Sequence, residues 1–188
     1  MQNDFVLPGA PACVAGALKT IPNIAKLLQR FREAKLPVFH VVREYREDGS
    51  DIEITRLKSF LSGKTCVVPG TQGCEIVEGL NPMDGEYRII KNRYSSFMNT
   101  ELDFMLRRLD VQYVVVCGTQ YPNCVRATIY DAVSHGYNVI LVTDATSAQT
   151  AEIAEANIID IKNIGVECVD TQTFLEENRV RRSLHNDG

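Results

Sequence analysis

The sequence predicts an α/β fold of three layers, a mostly parallel sheet flanked by helices on both faces. Three observations predict it. Short runs rich in β-branched residues alternate with amphipathic stretches along the whole chain, which is the pattern of strand–helix units. The run "QYVVVCG" (112–118) is apolar throughout, as a strand covered on both faces must be. Finally, 188 residues with no repeat, low-complexity block or linker read as one domain, 1–188, with room for a sizeable core.

Each element follows in order. "KTIPNIAKLLQRFREAK" (19–35) sets Ile21, Ile24, Leu27, Leu28 and Phe31 at i, i+3, i+4 spacing, an amphipathic helix. "PVFHVV" (37–42) is a buried strand and "EYRIIK" (86–91) a second. Between them, "VVREYREDGSDIE" (41–53) reads as running into a solvated turn around Asp48-Gly49. "NTELDFMLRRLD" (99–110) is a helix with Thr100 as N-cap and Leu102, Met105, Leu106 and Leu109 as its apolar face. After the strand at 112–118, a helix is expected from about Asn123 to Ser134, then the strand "NVILVTD" (138–144). "TAEIAEANIIDIKNIG" (150–165) is a helix with Gly165 at C′. "VECVD" (166–170) is the last strand, and Thr171 caps a short final helix. From about residue 179 the tail has no apolar period and reads as loosely attached.

Bulk properties narrow the partners. A net charge of −4 and a pI near 5.4 argue against nucleic acid or an anionic membrane. No apolar run approaches the roughly 20 residues that span a bilayer, and no leader sequence opens the chain. The six cysteines form no CxxC pair and no regular framework, so they read as reduced thiols of a cytoplasmic protein.

Two of those thiols lie where chemistry is expected. Ligands of an open parallel sheet bind outside the carboxyl ends of its strands, and the segment from Gly118 to Cys124 must lie there. Cys117, among valines, reads as a packed core thiol. Cys124 opens a helix, where unpaired N–H groups and the macrodipole favour a thiolate. A catalytic thiol and a small residue fitted to a tight turn both stand as readings of it. Lys91 closes the strand at 86–91, either to stabilise developing charge or to reach water. His40, His135 and His185 offer no Cys–His pair.

Five blocks carry a resemblance: "MQNDF" (1–5), "PGTQGCEIVEGLNP" (69–82), "IIKNRYSSFMNTELDFMLRRL" (89–109), "VVVCGTQYPNCVRATIYDAVSHGYNVILVTDAT" (114–146) and "EANIIDIKNIG" (155–165). Together they resemble the isochorismatase-like cysteine hydrolases, which include nicotinamidases, N-carbamoylsarcosine amidohydrolase and ureidoacrylate amidohydrolase. The resemblance implies a six-stranded parallel sheet and an Asp-Lys-Cys triad, with Cys124 as nucleophile and Lys91 as the triad lysine. It implies an oxyanion hole made by the backbone amides of Gln120 and Cys124, with a cis peptide at Thr119–Gln120. It also implies a substrate pocket lined by Phe5 with Asp4 close by, a homo-oligomer, and hydrolysis of an amide or ureido C–N bond in a small molecule through a thioester.

The same resemblance puts the catalytic aspartate one residue ahead of Met1. The family motif Asp-x-Gln-x-Asp-Phe matches Gln2-Asn3-Asp4-Phe5 from its third position, so Asp4 is its second aspartate. The first strand and its aspartate are therefore expected upstream of Met1, because losing a central strand would leave two unpaired edges in the core. The other explanation is a chain that lacks the family's usual chemistry, a non-catalytic oligomerising or binding module. Nicotinamidases carry an Asp-x-His metal cluster after strand two, but residues 41–53 hold no histidine, so neither metal nor cofactor is expected and nicotinamide is disfavoured. Arg43 and Arg46 are then either surface arginines or partners for a carboxylate-bearing substrate.

Overall fold

The computed structural model describes residues 1–176; the expected loose tail from about 179 lies outside them. Its helices are α1 (Asn3–Val6), α2 (Ala17–Glu33), α3 (Ile54–Leu61), α4 (Leu102–Arg108), α5 (Arg126–Ser134), α6 (Ala151–Asn163) and α7 (Thr171–Glu176). Its strands are β1 (Phe39–Arg43), β2 (Tyr87–Lys91), β3 (Tyr113–Thr119), β4 (Asn138–Ser147) and β5 (Glu167–Val169). All named strands pair in parallel. One apolar core joins α4, α5 and α6 to one side of the sheet through Leu106, Ile129, Leu141 and Ile161. A second joins α2 and α7 to the other side through Ile24, Leu27, Val142 and Phe174. Each fully buried side chain of this kind contributes roughly 1.5–3 kcal/mol. The architecture is the expected three-layer α/β sandwich.

The sheet is in two pieces. Among the described residues β1 pairs only with β2, while β3, β4 and β5 form the other group. Between β1 and β3 runs a cavity of about 350 Å³, lined along its length by Phe39 to Val41 on one flank and Tyr113 to Thr119 on the other. Leu28 and Phe31 of α2 and Leu102 and Leu106 of α4 complete its lining. One edge of β1 and one edge of β3 are thus unpaired along an apolar slot. At the top of the slot the Gln2 side chain takes the part of a neighbouring strand. Its Oε1 accepts from Arg43 N–H at 2.7 Å, and its Nε2 donates to Arg43 C=O at 2.8 Å.

Several local expectations are corrected. Thr100 is not the N-cap of α4; Glu101 holds that position, while the Thr100 hydroxyl accepts from Leu102 N–H at 3.2 Å. Thr171 lies inside α7, and the Asp170 carboxylate accepts from Thr173 N–H at 2.7 Å in the capping role. The helix expected at Asn123 starts as a π-helical turn, Tyr121–Val125, before α5 begins. The solvated turn expected around Asp48-Gly49 is present, with Gly49 N–H donating to Arg46 C=O at 2.9 Å, and an unexpected helix, α3, follows it from Ile54. Thr150 and Gly165 do bound α6: the Thr150 hydroxyl accepts from Ile153 N–H, and Gly165 has φ +85°.

Candidate functional site

Cys124 and Lys91 meet at the carboxyl ends of the strands. Both line the upper end of the slot, with Arg43 and Met1 beside them. The parallel register of β1 and β2 sets Arg43 directly opposite Lys91, so two cations share one rim. β3 ends at Thr119, and the Thr119–Gln120 peptide bond is cis. The π-helical turn then delivers Cys124 over the mouth of the slot, with Gln120 C=O accepting from Asn123 and Val125 N–H. Just before it, the β3–β4 register slips between Val116 and Gly118. Gly118 takes φ +117°, a conformation that a side chain would strain.

Arg43 is the residue that the sequence did not single out for the thiol. It is 2% exposed, and its Nη2 donates to Cys124 Sγ at 3.3 Å and to Arg93 C=O at 2.9 Å. Its Nη1 donates to Glu53 Oε1 at 2.8 Å and to the Tyr45 hydroxyl. That hydroxyl donates in turn to Glu53 Oε2 at 2.5 Å. The guanidinium lies over the rings of Tyr45 and Tyr94, 5.4 and 5.2 Å from their centroids. Its place at the carboxyl end of a strand, beside the strand of Lys91, was the available signal.

Charge decides the state of the thiol. Burial alone would push the Cys124 pKa up, but Lys91, Arg43 and Arg56 outweigh it and hold the thiol below its ordinary value. Burial pushes the Lys91 pKa down, opposed by the attraction of Cys124; its Nζ donates to Tyr94 C=O. The α-amino group of Met1 is buried among Cys117, Cys124 and Lys91, and burial lowers its pKa too.

The other expected site residues separate. Phe5 lines the slot and a second cavity of about 440 Å³, which also reaches Gln120 and Arg56. Asp4 lines neither cavity. Its Oδ2 accepts from Val67 N–H at 2.6 Å, and the carboxylate packs so closely on Gly73 that a Cβ there would lie 2.2 Å from Oδ1. Asp4 thus ties the segments around Val67 and Gly73 to α1. Arg46 is exposed, with its N–H bonded to Asp51. Among the described residues no group of three or more His, Cys, Asp or Glu side chains gathers as a metal site.

A parallel α/β sandwich with a cysteine and two buried cations at its strand ends is the arrangement that comparison with known proteins places in a family. The isochorismatase domain profile matches residues 1–173. An isochorismatase family protein of Desulfovibrio vulgaris superposes with a TM-score of 0.90 at 52% identity, covering 94% of this chain and 93% of that one. An Arabidopsis thaliana protein named "Probable inactive nicotinamidase" is 42% identical over 94% of this chain and 92% of its own length. A maleamate amidohydrolase of Pseudomonas putida is 28% identical over 95% of this chain and 83% of its own. The chain belongs to the isochorismatase family, whose members include amidohydrolases.

Proposed function

We propose that the protein hydrolyses an amide or ureido C–N bond in a small molecule, with Cys124 as nucleophile. The observation that carries this reading is the Cys124 thiol held between Lys91 and Arg43 at the strand ends, its pKa lowered by their charge. The thiolate attacks the substrate carbonyl, and the C=O electrons move to oxygen. The backbone amides of Gln120 and Cys124 receive that oxyanion; one such donor is typically worth roughly 3 kcal/mol of barrier. The C–N electrons leave with nitrogen, which takes the proton that the thiol gave up. Water then cleaves the thioester, releasing acid and restoring the thiol.

We propose as proton carrier a carboxylate placed beside Cys124 and Lys91 at the open end of the slot, where a strand laid between the unpaired edges of β1 and β3 would present it. Such a strand would satisfy both unpaired edges, and a residue joined to Met1 would enter a space bounded by Cys117, Cys124 and Lys91. The test is to fuse an apolar strand ending in Asp, and its Asn counterpart, directly ahead of Met1. Both chains are assayed for ammonia or amine release from amide and ureido compounds. The Asp chain is expected to be faster by about 10²–10⁴, the range of a positioned general acid–base. Equal rates would remove the carboxylate from the mechanism, and no release from either would remove the hydrolase.

A non-catalytic role is the second reading. Among the described residues no carboxylate hydrogen-bonds to Cys124 or Lys91, and the Arabidopsis relative carries "inactive" in its name. Thiol reactivity separates the two: a module without turnover has no use for a thiol whose pKa is held below its ordinary value.

A further inference from the structure

We infer that the substrate carries a carboxylate and that Arg56 receives it, a conclusion that rests on the reading of Cys124 as nucleophile. The second cavity, about 440 Å³, lies between Phe5, Arg56, Lys64 and Gln120. Gln120, one of the two proposed oxyanion donors, lines this cavity and precedes the turn that carries Cys124, and Phe5 lines both this cavity and the slot that holds Cys124. Its lining holds two cations, Arg56 and Lys64, and no Asp or Glu. A neutral substrate gains little from such a wall. An anionic one is drawn to it and oriented by it.

The arginines near the site divide the work. Arg43 is nearest the sulfur, but both its terminal nitrogens are committed: Nη1 to Glu53 and Tyr45, Nη2 to Arg93 C=O and Cys124. It has no open fork for a second carboxylate. Arg56 has the opposite situation. It sits half-buried on α3 with its guanidinium over the Tyr94 ring, 5.4 Å from the centroid, and among the described residues that guanidinium makes no hydrogen bond or ion pair. The nearby carboxylate, Glu53, is taken up by Arg43 and Tyr45. Arg56 therefore offers a planar fork of free donors, pre-oriented by stacking, of the kind that binds a carboxylate through two parallel hydrogen bonds. Its charge also acts on the Cys124 thiol, so the fork and the sulfur lie within one electrostatic neighbourhood. Lys64, exposed at the rim, adds attraction without geometry.

The test uses matched alkylating reagents and needs no turnover. Cys124 of the full chain is alkylated with 2-iodoacetate and 3-iodopropionate and with their amides, and the modified peptide is quantified. The acid-to-amide rate ratio is expected to exceed that of glutathione by about tenfold. It should fall about tenfold in Arg56→Gln, recover in part in Arg56→Lys, and fall about twofold in Lys64→Gln. Any change in the thiolate fraction caused by losing Arg56 affects acid and amide alike, so the ratio isolates recognition. A ratio unchanged by Arg56→Gln, with rapid alkylation by the amides, overturns the carboxylate assignment and leaves the nucleophile standing. Amide alkylation of Cys124 as slow as that of Cys117 overturns the nucleophile and this inference with it.

Discussion

Cys117 and Cys124 are seven residues apart, line the same cavity and are both half-buried, yet they are chemically different groups. Cys117 lies on β3 where its side chain packs with Val115 and the α2 side of the core. Burial pushes its pKa to about 11, opposed weakly by the Met1 amino group. At pH 7 roughly one molecule in 10⁴ carries that thiolate. Cys124 is buried as well, but it faces Lys91 and receives an N–H from Arg43. The two sites teach that depth does not set thiol reactivity here. Placement of cations does, and both cations come from strand ends that parallel pairing puts side by side.

The largest expected effect comes from deleting the contrast. Cys124→Ala should abolish the fast alkylation phase with iodoacetamide at pH 7, whereas Cys117→Val should leave its rate within a factor of two; the rates of the two thiols should differ by about a hundredfold or more. Next, Lys91→Met should bring Cys124 towards Cys117 by removing one counter-charge. Its alkylation at pH 7 should drop about tenfold, and the loss should vanish at high pH, where both proteins are fully ionised.

A smaller effect tests the support under the rim. Glu86 precedes β2 and binds Arg32 of α2 at 2.7 Å, His40 of β1 at 2.7 Å and Met83 N–H at 2.8 Å. The Arg32 hydrogen bond leads the causes that hold its pKa at about 2. With the folded value depressed below the unfolded one near 4.3, its stabilisation is present above about pH 4 and is lost as pH falls towards 2. Glu86→Gln should lower stability by about 2 kcal/mol at pH 7, and much of that difference should disappear by pH 2, measured by urea unfolding. The smallest effect is that of Cys117→Val on stability, within about 1 kcal/mol, since the swap nearly conserves an apolar volume.

Much of this was legible in the sequence. The valine run at 112–118 and the i, i+3, i+4 spacing at 19–35 fixed elements to within a few residues, because burial on two faces or on one stripe leaves a direct composition signal. Lys91 and Cys124 were legible as strand-end and helix-start residues. Arg43 was less so: an arginine at the end of a strand reads as surface until its partners are known, and Glu53 and Tyr45 reach it only through the fold. α3 was missed. Ile54, Leu57 and Leu61 do fall at i, i+3, i+7 spacing, but the stretch is only eight residues long, and Ile54 and Leu61 end up 87% and 62% exposed, with Phe60 its buried residue. Arg56 was hidden along with it. The caps failed where neighbours compete: Thr100 and Thr171 are good capping residues, but Glu101 and Asp170 hold the N-cap positions.

The most direct measurement is the pH dependence of Cys124 alkylation by iodoacetamide, followed by quantifying the modified peptide from pH 4 to 10. A sulfur flanked by Lys91 and Arg43 should titrate below the ordinary thiol value of about 8.5, with Cys117 titrating above it. A midpoint at or above that value, rising in parallel with Cys117, would contradict the account.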